Sequence, residues 1–262
     1  MLGKLFKYDF KWINNKVMFI YYSVFLIITI LVKVIESFEQ TILMVVVDKI
    51  LSGMFISCFI SIIITCFMRI WARFIDNFYK DSSYLTHTLP VTKDELFNSK
   101  VLASIASLII AIIIVLLGAF YVFLGDNGFD TLKIMYQSLI DAYNSSFAFI
   151  FVIGLILLVL LEVLFFMFSG IFGIIIGHRF NNYKMFKSIV IGIGSYLLLS
   201  IIMFVILSLI GNYADINNIV DGFPPLNTVK VFGGVGIITY LVFDIAYYFM
   251  AKNIFNKGVN VD

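Results

Sequence analysis

Two carboxylates stand where a carboxylate is costly. Glu162 and Asp244 each lie inside a long apolar run that contains no Lys or Arg. A lone ionised group near mid-bilayer costs at least about 2.5–3.5 kcal/mol on insertion scales, so each must face protein or water, or carry a proton. Such a group either lines a path for substrate or protons, or bonds a Ser or Tyr on a neighbouring helix. At the level of sequence both readings stay open. Other chemistry-bearing residues offer less. His87 and His178 have no Cys, Asp or second His at ligand spacing, which argues against a metal site. Ser169-Gly170 would need His178 as its base, nine residues along the same helix and out of hydrogen-bond reach. An intramembrane metalloprotease would need paired Glu or clustered His. Cys58 and Cys66 fall two turns apart, roughly 12 Å by helix rise. That is beyond a disulfide, so both read as small apolar packing residues.

The elements that hold these residues are spans. Of 262 residues, 62% are hydrophobic and 13% charged, with a mean hydropathy of +1.06. Soluble domains carry about 25% charged residues. At this level a chain could not wet its own surface, so the bilayer must serve as solvent. Six apolar runs are long enough to cross: 17–34, 50–68, 101–124, 147–176, 189–210 and 231–250. The fold class is therefore all-α, one membrane domain of six spans over 1–262. Asp48 and Lys49 interrupt the second run, so 42–47 is expected to protrude or fold back. The fourth run exceeds one straight span and is expected to tilt or break.

Lys and Arg set direction. Lys4, Lys7, Lys11 and Lys16 precede the first run, and Arg69, Arg73, Lys80, Lys93 and Lys100 lie between the second and third. Arg179, Lys184 and Lys187 separate the fourth from the fifth, and Lys252 and Lys257 follow the sixth. The opposite side holds only Lys33, Lys49, Lys133 and Lys230 among many acids. Both termini are thus expected in the cytoplasm, with the chain a multi-pass protein of a cell membrane. The net charge of +2 hides this asymmetry and gives no sign of nucleic-acid binding. The first run lacks a cleavage site and reads as an anchor rather than a signal peptide. Gly3 follows Leu2, so the N-myristoylation pattern is missing.

The expected cytoplasmic face is patterned. Over 1–16, Lys4, Lys7 and Lys11 share one helical face while Leu2, Phe6, Phe10 and Ile13 take the other. Such a helix lies among inner-leaflet headgroups, its ammonium groups toward anionic lipid. Between 69 and 100, Ile70, Trp71, Phe74 and Phe78 recur at helical spacing, opposed by Arg73, Asp76, Asn77 and Lys80. A break at 81–83 leads to Tyr84-Leu85-Thr86-His87-Thr88-Leu89-Pro90. Thr92 then stands three residues before Glu95, a capping box opening a helix into the third span. An ordered knob results, larger than topology requires.

The stretch Phe78-Tyr-Lys-Asp-Ser-Ser-Tyr-Leu-Thr-His-Thr-Leu-Pro-Val-Thr-Lys-Asp-Glu-Leu-Phe-Asn-Ser-Lys100 resembles the YLTxTLPV…L…SK segment of ABC-2-type transporter permeases from Gram-positive bacteria. The opening Met1-Leu-Gly-Lys-Leu-Phe-Lys-Tyr-Asp-Phe-Lys11 is similar to the start common in that group. Elsewhere the likeness is one of hydropathy. The resemblance implies a connecting helix over 2–16 and a coupling helix within 69–100 that docks on a separate cytoplasmic ATPase. Trp71, Phe74, Phe78, Tyr84, Leu85, Thr86, Leu89 and Pro90 would make that coupling region. It also implies a second permease, the same chain or a different one. No G-x-x-x-x-G-K-[ST] occurs, so the chain is expected to have no enzymatic activity of its own. ATP and Mg would be bound by the partner.

Small residues suit close helix packing. Ser99, Ala103, Ser107, Ala111 and Ala119 form a stripe on the third span, and Gly173 and Gly177 a G-x-x-x-G on the fourth. Each serves either packing within one bundle or a dimer seam. Externally, 126–146 suggests a surface helix over 129–143. In 212–230, Asp221-Gly222 and Pro224-Pro225 suggest a turn and a stiff extended piece. Export of amphiphilic peptides, bacteriocins or hydrophobic drugs is the expected function. The competing readings are an ion-coupled carrier using Glu162 and Asp244, and a non-transporting immunity or partner subunit.

Overall fold

The computed structural model describes residues 1–38, 41–80, 83, 86, 88, 90–123, 128–143, 145–213 and 226–258. Among them there is no strand. Eight helices follow in order: α1 (Leu2–Ile13), α2 (Lys16–Glu36), α3 (Ile42–Tyr79), α4 (Lys93–Phe123), α5 (Gly128–Tyr143), α6 (Ser145–Gly177), α7 (Lys184–Tyr213) and α8 (Leu226–Asn256). The fold is all-α, and six helices, α2 to α4 and α6 to α8, are long and apolar enough to cross a membrane. That is the make-up of a multi-pass membrane protein.

Local chemistry fixes several starts. The Asn15 side chain accepts from the Val17 amide at 2.9 Å, and Thr41 Oγ1 from the Met44 amide at 3.4 Å. At α4 the reciprocal box forms. The Glu95 amide donates to Thr92 Oγ1, and the Thr92 amide to Glu95 Oε2, both at 3.2 Å. Each cap satisfies an amide that the first helical turn leaves without a partner.

Of the two alternatives left open for 42–47, folding back is excluded: these residues open α3, which passes through Asp48 and Lys49 and ends only at Tyr79. Charged side chains end a hydropathy run, but a helix satisfies its own backbone whatever the side chain. The 38 residues of α3 rise about 57 Å, against about 30 Å of hydrocarbon. The segment bearing Ile70, Trp71, Phe74 and Phe78 is therefore the end of that same rod. Likewise α6 is one unbroken helix of 33 residues.

The chain divides into two compact units, Met1–Leu132 and Lys133–Asp262. In the first, α2, α3 and α4 pack together and α1 lies against α3 and α4. Its core includes Ile13, Met18, Phe25, Ile62, Ile70, Phe74, Phe78 and Phe97. Ser99, Ala103, Ser107 and Ala111 are all buried here, so the stripe on α4 serves packing within the unit. Ala119 is half-buried, while its neighbour Gly118 admits the Phe25 ring where a Cβ would stand. In the second unit α6, α7 and α8 pack on one another. A Cβ on Gly173 would fall on the Gly192 backbone, and one on Gly177 on Ser188, so this G-x-x-x-G seats α7. Outward faces are apolar, with Phe19, Ile27, Ile64, Leu117, Val159, Phe204 and Ile245 exposed, as suits a lipid solvent.

Candidate functional site

In the first unit the sequence places an acid in the middle of an apolar helix face. Asp9 follows Phe6 by three residues and precedes Ile13 by four, so it turns inward with them, and it is 2% exposed. Arg73 of α3 meets its Oδ1 with Nε at 2.7 Å and Nη2 at 2.6 Å. Lys100 Nζ of α4 reaches the same oxygen at 3.0 Å, and Ser99 Oγ donates to Oδ2 at 3.2 Å. Arg73 Nη1 also donates to Asn77 Oδ1 at 2.9 Å. One carboxylate thus ties three helices together. Its two cations leave the cluster with a surplus positive charge.

Arg69 fastens the end of α1. Its guanidinium donates to the Ile13 and Trp12 carbonyls at 2.7 and 2.6 Å, the negative end of that helix. Arg69 and Arg73 both lie over the Trp12 ring, 4.9 and 5.2 Å from its centre. Asn14 Nδ2 donates to Ser107 Oγ at 2.6 Å, which adds a contact to the small-residue face of α4. Beyond the ionic cluster, Phe74 meets Phe78 and Phe97 edge-on at 5.7 and 6.2 Å. Lys100 sits over the Phe78 ring at 5.1 Å.

These positions revise the reading of the segment 69–100. Arg73 and Asn77 do not form a solvated face opposite the aromatic one; Asn77 is buried, and Arg73 is drawn inward by Asp9. Phe74 and Phe78 are fully buried, so they form the interior of the knob and present no docking surface. Trp71 is half-buried against Phe67. Thr86 is buried and Pro90 exposed, while Tyr84, Leu85 and Leu89 lie outside the described residues, as does His87. Lys4, Lys7 and Lys11 are exposed together with Tyr8 on the side of α1 away from Asp9.

The second unit gathers aromatic rings. Phe165 of α6 lies within 5.4 Å of Tyr196, 5.7 Å of Tyr240, 6.2 Å of Phe243 and 5.6 Å of Tyr247, centre to centre. Tyr247 Oη donates to the Ser195 carbonyl at 3.2 Å. Tyr240 is within electrostatic range of Glu162, Tyr196 and Asp244, so both sequence-predicted carboxylates belong to one neighbourhood. Their surroundings differ. Glu162 is exposed on the unit's surface, whereas Asp244 is 7% exposed. Neither oxygen of Asp244 meets a hydrogen-bond partner.

Just past α6, His178 is buried and held by the Ile174 carbonyl, 2.9 Å from Nδ1. A carbonyl only accepts, so Nδ1 carries the proton. Ser188 Oγ lies 3.2 Å from that nitrogen and donates its own proton to the Lys184 carbonyl at 2.9 Å. Burial lowers the His178 pKa from its ordinary value; the Ile174 bond opposes this and the Lys184 charge adds to it. The Ser188–His178 pair is thus a tether between α6 and α7. Ser169 Oγ donates to the Phe166 carbonyl at 2.9 Å.

Sequence reasoning missed Asp9 and its ring of partners. The available signal was an acid at the centre of the face formed by Leu2, Leu5, Phe6 and Ile13. Comparison with known proteins adds no name: no family model, curated protein or solved structure matches this chain.

Proposed function

We propose that the chain is the permease subunit of an ATP-driven exporter of the ABC-2 type, working with a second permease and a separate ATPase. The carrying observation is mechanical. α3 runs without a break from its apolar stretch to Tyr79, and its end is fixed to α1 by Arg69 and Arg73 and to α4 by Phe74 and Phe97. A push on the segment between α3 and α4 would reach two spans at once, with no soft joint to absorb it. Aromatic packing and a buried ionic cluster make a stiff handle; a mere connection would need only a few polar residues. The charge distribution supports a handle on the cytoplasmic side, and the exposed Lys4, Lys7 and Lys11 support an α1 resting on anionic headgroups. ATP and Mg would bind the partner, and the cargo would be amphiphilic peptides or hydrophobic drugs.

The test is whether a P-loop ATPase is encoded beside this chain and co-purifies with it, followed by deletion or charge reversal within 84–90. Loss of binding and of coupled ATP hydrolysis is expected. Retained binding with unchanged coupled hydrolysis removes the assignment.

A further inference from the structure

Asp244 is the buried ionisable group that the transport reading leaves unused. It sits in the span formed by α8, on the helix face that carries Tyr240 and Tyr247, whose rings meet Phe165 of α6, and it lies within electrostatic range of Tyr240. Both of its oxygens are covered, and among the described residues no donor reaches either. Contrast Asp9, whose two oxygens take four donor contacts from Arg73, Lys100 and Ser99. Among the described residues no compensating charge is placed beside Asp244. Tyr240, a phenol within electrostatic range of it, is itself in range of the acid Glu162 of α6 and the phenol Tyr196 of α7, and Tyr247 already donates to Ser195. Lys252 lies eight residues further along α8, about 12 Å by helix rise, with its ammonium over the Tyr248 ring.

An anion in that setting would lack water, donor and counter-charge together, and a buried group so placed neutralises rather than remain charged. Surrounding lipid would only strengthen the effect. We propose that Asp244 is a proton-binding site of the second unit, occupied while α8 packs against α6 and α7 as seen here. The reaction is Asp244–COOH giving Asp244–COO⁻ and H⁺, the proton passing to water with no other bond changed. Ionisation requires water or a cation at the carboxylate, and either requires α8 to separate from the helices packed against it. Proton occupancy and helix packing are therefore linked, and binding a proton favours the closed arrangement. The proposal needs only the multi-pass reading. It stands or falls separately from the ATPase partner.

The experiment is infrared spectroscopy of the full chain in lipid vesicles, wild type against Asp244→Asn and Asp244→Leu. At neutral pH the wild type is expected to show a carboxylic acid C=O band that both variants lack and that shifts in deuterated water. Raising the pH should convert it to carboxylate bands and lower the thermal unfolding midpoint of the wild type by several degrees more than that of either variant. The sign follows from linkage: a carboxyl held protonated in the folded state stabilises it below the titration and loses that contribution as pH rises through it. Either variant that folds supplies the subtraction. Carboxylate bands at neutral pH, or failure of both neutral variants to fold, would overturn the proposal, because the charge itself would then be required. Persistence of the acid band in both variants would assign it elsewhere and overturn it equally.

Discussion

In the first unit the buried carboxylate of Asp9 is met by Arg73, Lys100 and Ser99; in the second, Asp244 is covered almost as completely and, among the described residues, meets no donor. The two acids show the alternatives open to charge inside a helix bundle. A carboxylate with two cations and a hydroxyl remains an anion and fastens helices together. One with only aromatic neighbours is held neutral and leaves its helix free to move once ionised. The joints differ accordingly. α1, α3 and α4 are locked by ions, stacked rings and Arg69 on the helix end, whereas α6 and α7 meet by close backbone approach, Gly173 against Gly192 and Gly177 against Ser188. Ions give the first unit a directional lock; the second relies on backbones that fit without side chains between them.

The contrast breaks most sharply at Asp9. Asp9→Ala strands Arg73 and Lys100 without their acid and should destabilise the first unit by about 3–5 kcal/mol, read as a lower thermal unfolding midpoint in detergent. Combining Asp9→Asn with Lys100→Met should recover part of the loss. In the second unit the weak point is steric. Gly173→Leu drives a side chain into the Gly192 backbone and should cost about 3 kcal/mol or more, seen as loss of the monodisperse peak in size exclusion. Gly194→Leu, at a position with open space around its Cα, is the control and should be tolerated.

Smaller effects sharpen the comparison. Thr92→Ala removes half of the box that opens α4 and should cost about 1 kcal/mol without altering the ionic cluster. At the α6–α7 tether, His178 is held neutral by burial, with its pKa below the ordinary value. Its contribution is therefore present above the usual histidine titration and lost as pH falls through the folded-state value. Unfolding midpoints followed from neutral to acid pH should drop in the wild type and drop less in His178→Gln.

Hydropathy made the spans legible, because about 20 apolar residues in a row leave few alternatives. The capping box at Thr92 and Glu95 was equally plain, since both partners are local. The extent of α3 was hidden because Asp48 and Lys49 broke the apolar run, while backbone hydrogen bonding takes no account of such breaks. The cluster at Asp9 was harder to see: its partners lie 64 and 91 positions away, and nothing in the spacing of Arg73 and Asn77 says that they turn inward. The same limit applied to Phe74 and Phe78. Helical spacing marked them as an apolar face, and only packing against Phe97 decided that the face looks inward.

The stiff handle at the end of α3 is tested most directly by reconstituting the chain in vesicles with the P-loop ATPase that co-purifies with it, with and without Asp9→Ala. ATP-dependent movement of an amphiphilic peptide by the complete assembly is expected. Weakening that latch should leave the ATPase bound but reduce the coupling of hydrolysis to transport. Movement of the same peptide by the chain alone, with neither nucleotide nor companion protein, would contradict it.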